Sequence, residues 1–164
     1  MLVASEGEKQ DTEQPQASDG TVQKNVDSKP YVPLSKDQLR RKLNAIQYKV
    51  TQSEGTEPAF RNEYWDNKKP GEYHCIVCEQ RLFDHDTKYD SKTGWPSFWS
   101  PVEEDAVGYK SDWHLIYPRT EVHCSRCNAH LGHVFDDGPQ PTGKRYCMNS
   151  AAMKFVPDKA PADK

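Results

Sequence analysis

Two Cys-x-x-Cys pairs constrain this chain more than any other feature: Cys75 with Cys78, and Cys124 with Cys127. Each pair offers two thiolates from one tight turn, and two such turns complete a tetrahedron around a zinc ion. Forty-five residues lie between Cys78 and Cys124, so one ion would tie together two distant turns. With all four positions filled by protein, none is left for water or substrate. The expected cofactor is therefore one structural Zn2+ on Cys75, Cys78, Cys124 and Cys127. A redox-active Cys-x-x-Cys accounts for one pair but not two, and a pair of disulfides needs an oxidising compartment. His74 and His123 each precede the first cysteine of a pair; because four thiols suffice, they are read as ordinary strand histidines.

The fifth cysteine, Cys147, has no partner. A free cysteine is often a small buried hydrophobe, and that reading stands beside a chemical one. A thiol nucleophile needs help to ionise, a proton donor for its leaving group and a group to fix orientation. His130, His133 and Asn149 are placed to supply these. Asn149 shares a strand face with Cys147 by period two, whereas His130 and His133 fall on opposite faces of an extended strand, so a bend is required for both to serve. In Gly94-Trp95-Pro96-Ser97-Phe98-Trp99 a rigid turn carries an indole, which is either a core tryptophan or an apolar wall for a substrate.

Composition narrows the class. Residues 1–30 hold six acids and three lysines, and the remaining chain holds nineteen of each sign. A neutral folded part lacks the basic balance of a nucleic-acid binder. No run approaches the ~18 apolar residues of a membrane span, and Met1-Leu-Val-Ala is followed at once by Ser-Glu-Gly-Glu-Lys, unlike a secretory signal. The expectation is a cytoplasmic monomer, with neither nucleic acid nor membrane as partner.

Residues 1–30 are polar, acidic and free of aromatics, and are read as a disordered tail. The domain is expected over 31–158, with a short C-terminal tail at 159–164. Ser35 and Gln38 form a capping box, and Leu39, Leu43, Ile46 and Val50 then recur at helical spacing. A shorter helical turn is expected near Phe60–Trp65. Beyond Gly71 the texture is β. Strands are predicted at Glu72–Cys75, Arg81–Phe83, Ser97–Trp99, Val107–Lys110, His114–Tyr117, Thr120–His123, His130–Phe135, Arg145–Met148 and Ala152–Val156. The fold class is mainly β: a small antiparallel domain of two sheets with one or two N-terminal helices and a structural zinc site.

Taken together, Cys75-x-x-Cys78, Gly94-Trp95-Pro96-Ser97-Phe98, Cys124-x-x-Cys127, Ala129-His130-Leu131-Gly132-His133-Val134-Phe135 and Arg145-Tyr146-Cys147-x-Asn149-Ser150 resemble the B-type methionine sulfoxide reductases. These enzymes return methionine-R-sulfoxide to methionine. The resemblance implies that Cys147 attacks the sulfoxide sulfur and is left as a sulfenic acid. His130, His133 and Asn149 would hydrogen-bond and protonate the sulfoxide oxygen, and Trp95, helped by Phe135, would cradle the methyl group. His130, Val134 and Asn149 match the cysteine-type members rather than those with selenocysteine. Many members carry a resolving cysteine just before Gly-Trp-Pro-Ser-Phe, and here that position is Thr93. The implied partners are oxidised proteins carrying methionine-R-sulfoxide and thioredoxin or another thiol reductant. The alternative is a zinc-stabilised β module that binds protein or nucleic acid, with Cys147 merely buried. A Cys-His hydrolase is disfavoured, because it would need a third residue orienting its base.

Overall fold

The structure, a computed structural model, describes residues 30–159. The tails expected at 1–30 and 159–164 therefore lie outside the described residues, except for Pro30 and Lys159. Two helices come first, α1 (Lys36–Lys42) and α2 (Ala45–Ser53). The Ser35–Gln38 capping box is present, but the single hydrophobic stripe does not build a single helix. Leu43 is extended, and Asn44 opens a second capping box with Gln47. Asn44 and Gln47 hold each other's backbone N–H, so the helix restarts in a new direction. Leu39, Leu43 and Val50 are buried as expected, while the restart leaves Ile46 exposed. The helical turn expected at Phe60–Trp65 is absent, and that stretch runs as turns and bends.

Nine strands follow: β1 (Gly71–Cys75), β2 (Arg81–Asp84), β3 (Lys88–Tyr89), β4 (Ser97–Phe98), β5 (Val107–Asp112), β6 (Arg119–Cys124), β7 (His130–Phe135), β8 (Arg145–Met148) and β9 (Met153–Pro157). They form two antiparallel sheets, ordered β2-β1-β9 and β3-β4-β8-β7-β6-β5. Eight of the nine predicted strands form, with small boundary shifts, and the two-residue β3 had not been read. The exception is His114–Tyr117, which bends through the β5–β6 connection. Its apolar residues suggested a strand, but they point to solvent rather than to a neighbour: Ile116 is 94% exposed.

The sheets meet through aromatic side chains. Tyr73 from the smaller sheet packs edge-on against Phe98 of the larger one, with centroids 5.1 Å apart. Phe83 of β2 stacks on Phe98 at 4.4 Å. All three are fully buried, and such rings contribute large buried areas to the core. No helix of the described residues is long and apolar enough to cross a membrane.

Candidate active site and metal centre

The two Cys-x-x-Cys units fold as copies of one knuckle. Cys75 N–H donates to Gln80 O at 2.8 Å and Glu79 N–H donates to Cys75 O at 2.9 Å. In the second copy Cys124 N–H donates to Ala129 O and Asn128 N–H to Cys124 O, both at 2.9 Å. Each turn closes on a left-handed residue, Glu79 and Asn128, so both thiols of each pair face inward. The four sulfurs lie within 4.8 Å of one another. Cys75 Sγ is 3.6 Å from Cys127 Sγ, and Cys78 Sγ is 3.5 Å from Cys124 Sγ. No disulfide joins them. A tetrahedron with metal–sulfur bonds of about 2.3 Å has edges of about 3.8 Å, so this donor set fits a zinc ion. Gln80 ties the knuckles together, donating to Ala106 O at 2.6 Å and to Ser125 Oγ at 2.9 Å. Lys42 of α1 caps Val77 O at 2.7 Å.

Cys147 lies elsewhere, in β8 at the centre of the larger sheet, paired with Ser97 of β4 and His133 of β7. It opens into a cavity of about 310 Å³ whose wall includes Trp95, His133, Phe135, Arg145 and Asn149. Gly132 lets β7 and β8 approach here: a Cβ on it would lie 2.1 Å from the carbonyl oxygen of Cys147. Pro96 O accepts Met148 N–H at 3.0 Å, pinning the Gly-Trp-Pro turn against β8. The Trp95 indole N–H then donates to Glu57 O at 2.9 Å, so the ring is fixed as part of the cavity wall.

The two histidines share a side because β7 carries an extra residue. Opposite the step from Val122 to His123, the chain advances from Gly132 to His130, so Leu131 is a β-bulge. The bulge resets the alternation, and the rings of His130 and His133 meet edge-on at 5.5 Å. They are not equivalent. His133 lines the Cys147 cavity, and its Nε2 lies 2.7 Å from Asp112 Oδ2. His130 is one layer behind, on an adjoining cavity that also touches His133. It is 3% exposed, and its Nδ1 lies 3.1 Å from Glu121 Oε1. Neither ring nitrogen has a hydrogen bond to any of the described residues.

Asn149 does not continue the strand face of Cys147, because β8 ends at Met148. Its amide bridges the site instead: Oδ1 accepts Glu57 N–H at 3.0 Å and Nδ2 donates to Leu131 O at 3.0 Å. One amide thus connects the loop under Trp95 to the bulge of β7. Its edge still borders the cavity.

Electrostatics at the thiol are opposed. Burial pushes the Cys147 pKa up, while Arg145 and the Thr93 and Ser97 hydroxyls pull it down. The Arg145 guanidinium is itself oriented, bidentate to Asp137 at 2.8 and 3.0 Å and 4.4 Å above the Phe135 ring. Ser91 Oγ bridges the two hydroxyls, 2.8 Å from Thr93 and 2.7 Å from Ser97. Burial lowers the His133 pKa, with the Asp112 hydrogen bond opposing.

Four contributors escaped the reading of the sequence: Arg145, Asp112, Arg119 and Glu57. Arg145 had a signal, since it lies two residues before Cys147 and shares its strand face. Asp112 and Arg119 had none, because they reach the site only through the β5–β6 pairing. Glu57 is buried in a loop, and its carboxylate accepts from Ser150 N–H and, at 2.9 Å, from Ala151 N–H.

Comparison with known proteins gives the family. Residues 43–157 match the SelR domain model. Among similar proteins, the peptide methionine sulfoxide reductase MsrA/MsrB of Vibrio cholerae is 57% identical over 79% of this chain and 34% of its own length. The chloroplastic peptide methionine sulfoxide reductase B1 of Arabidopsis thaliana is 53% identical over 76% of this chain and 62% of its own. The mitochondrial methionine-R-sulfoxide reductase B3 of Mus musculus is 50% identical over 77% of this chain and 50% of its own. The matches thus span from about a third to under two thirds of these relatives. With the family model covering most of the described residues, the chain belongs to the SelR domain family.

Proposed function

We propose that this chain reduces methionine-R-sulfoxide in polypeptides to methionine, with Cys147 as nucleophile and residues 31–158 as the reductase domain. The observation that carries the reading is the convergence of Cys147, His133, Asn149, Trp95 and Phe135 on one open cavity. A sulfoxide oxygen leaves only when protonated, so attack needs an acid beside a thiolate. His133, whose Nε2 is held 2.7 Å from Asp112 Oδ2, is the proposed acid. His130, whose Nε2 has no hydrogen bond to any of the described residues, is assigned the second contact to the oxygen. Trp95 and Phe135 supply an apolar wall for the methyl group. Arg145 favours the thiolate.

The steps balance. The Cys147 thiolate attacks the sulfoxide sulfur, forming a sulfur–sulfur bond, while the sulfoxide oxygen takes two protons and leaves as water. Water then attacks the Cys147 sulfur, breaking that bond and giving up one proton. Methionine leaves with its sulfur reduced by two electrons, and Cys147 is oxidised to a sulfenic acid. A first external thiol condenses with it, releasing water and forming a mixed disulfide. A second thiol attacks that disulfide and returns the Cys147 thiol. Thioredoxin or a small thiol is the proposed reductant, in a reducing compartment such as the cytoplasm. The metal proposed for Cys75, Cys78, Cys124 and Cys127 is one zinc ion. It would serve the fold alone, since four thiolates leave it no open position.

The test is turnover of a sulfoxide peptide with the R and S epimers followed separately. R-specific reduction that disappears in Cys147→Ser is expected. Reduction of the S epimer alone, or undiminished turnover by Cys147→Ser, would overturn the reading.

A further inference from the structure

The β5–β6 hairpin carries an apolar tip. Asp112 and Arg119 form its last paired rung, and between them runs Trp113-His114-Leu115-Ile116-Tyr117-Pro118. Trp113 is 71% exposed, Leu115 57%, Ile116 94% and Tyr117 78%. The other large apolar residues exposed among the described residues, such as Val32, Ile46, Phe60 and Val156, are isolated from one another in sequence. Single exposed apolar side chains are ordinary on a protein surface, whereas a contiguous cluster marks an interaction site.

The foot of this tip is held rigidly and belongs to the wall of the Cys147 cavity. Buried Asp112 accepts from His114 N–H at 2.9 Å and from Arg119 Nη2 at 2.9 Å, and lies 2.6 Å from His114 Nδ1 and 2.7 Å from His133 Nε2. Arg119 and His133 both line the cavity. Ile116 is three residues from Arg119, so the tip reaches no more than about 11 Å from the cavity wall. A polypeptide whose sulfoxide side chain enters the cavity must lay its neighbouring residues across the rim. At about 3.3 Å per extended residue, positions two to four away from the sulfoxide come level with the tip.

From this continuity we infer that Trp113, Leu115, Ile116 and Tyr117 form a substrate subsite for apolar side chains flanking the oxidised methionine of a polypeptide. The inference rests on the reading of the Cys147 cavity as the sulfoxide site. A polypeptide fits better than an anionic membrane, because the two Lys/Arg cations of this hairpin are already paired. Lys110 engages Glu54 and Glu121, and Arg119 engages Asp112. The hairpin therefore offers apolar surface with neither Lys110 nor Arg119 free for a lipid headgroup.

The experiment compares two peptides with the same central methionine-R-sulfoxide, one flanked by leucine and phenylalanine and the other by serine and glycine. Single-turnover reduction is measured without added reductant, so that docking of a reductant does not enter. Wild-type protein should prefer the apolar peptide by about tenfold in rate at subsaturating substrate, the low end of what apolar contacts yield. In the Leu115→Ser/Ile116→Ser variant that ratio should fall toward one. Both side chains are solvent-exposed, so the variant should leave the core intact, which circular dichroism checks. An equal preference in wild type and variant, or no preference in wild type, overturns the subsite. So does loss in the variant only of self-association or of binding to phosphatidylserine vesicles, which would assign the tip to a second copy or to a membrane. Failure of wild type to reduce either peptide would instead overturn the reductase reading.

Discussion

His133 Nε2 lies 2.7 Å from Asp112 Oδ2, across from the β5–β6 hairpin to the strand that faces Cys147. Asp112 is buried, and its carboxyl is held well below the usual carboxylate range, first by His114 N–H and then by His133, His114 and Arg119. It therefore orients the proposed acid and raises its basicity against burial. Asp112→Asn should lower the His133 pKa further and slow sulfoxide reduction by at least about tenfold. Titration of the His133 ring by NMR in both proteins checks the sign. An unshifted ring would return Asp112 to a purely structural role.

The same carboxyl makes stability depend on pH. A group whose folded pKa is depressed contributes its full stability above the unfolded value of about 3.9, and loses it as pH falls toward the folded one. Denaturant midpoints measured from pH 6 down to pH 3 should drop more steeply in wild type than in Asp112→Asn.

Arg145 is expected to set the reactivity of Cys147. Removing its charge in Arg145→Met lets burial act with less opposition, so the thiol pKa rises and less thiolate is present at pH 7. Each unit of rise costs about tenfold in alkylation rate at that pH. The rate of iodoacetamide labelling against pH reads it directly, and a profile unchanged from wild type would remove Arg145 from the thiolate's environment.

Zinc and chemistry should separate cleanly. Cys75→Ser should release metal and much of the fold, since a metal bound by these four thiols would contribute folding energy. Cys147→Ser should keep both and lose activity. Metal content by atomic absorption, with thermal melts, decides. Metal loss from Cys147→Ser with retention in Cys75→Ser would reverse the assignment.

Glu57 braces three parts of the site. Its backbone holds Trp95 and Asn149, and its side chain caps Ser150 and Ala151. Glu57→Ala leaves two N–H groups unpaired in the interior, a loss of about 1–3 kcal/mol each at most. Urea unfolding should show that loss, whereas a variant as stable as wild type would mean that water replaces the carboxylate without cost.

Thr93 beside Cys147 leaves no neighbouring thiol on that side, and the other four thiols cluster on a separate site. One turnover without reductant should add one oxygen to the protein, as a sulfenic acid that a diketone traps. Mass spectrometry showing a loss of two hydrogens instead would mean that a clustered cysteine resolves the intermediate.

Much of this protein was legible in its residues. The paired Cys-x-x-Cys turns, the Ser35 capping box, the alternating strands and the motif around Cys147 are local signals, each read within a few positions. The break at Asn44 was legible too, since Asn44-x-x-Gln47 is itself a capping box, but the longer apolar stripe obscured it. What only the tertiary structure decided concerns register. The bulge at Leu131 brings His130 and His133 to one side, and no period-two pattern reveals where an extra residue will sit. The partner of His133 comes from β5, and the bracing of Trp95 comes from a loop thirty-eight positions away. His114–Tyr117 has the composition of a strand yet forms an exposed tip, because among the described residues no neighbouring strand pairs with it. Residue types and spacing specify which groups are present, whereas sheet pairing between distant segments specifies which of them touch.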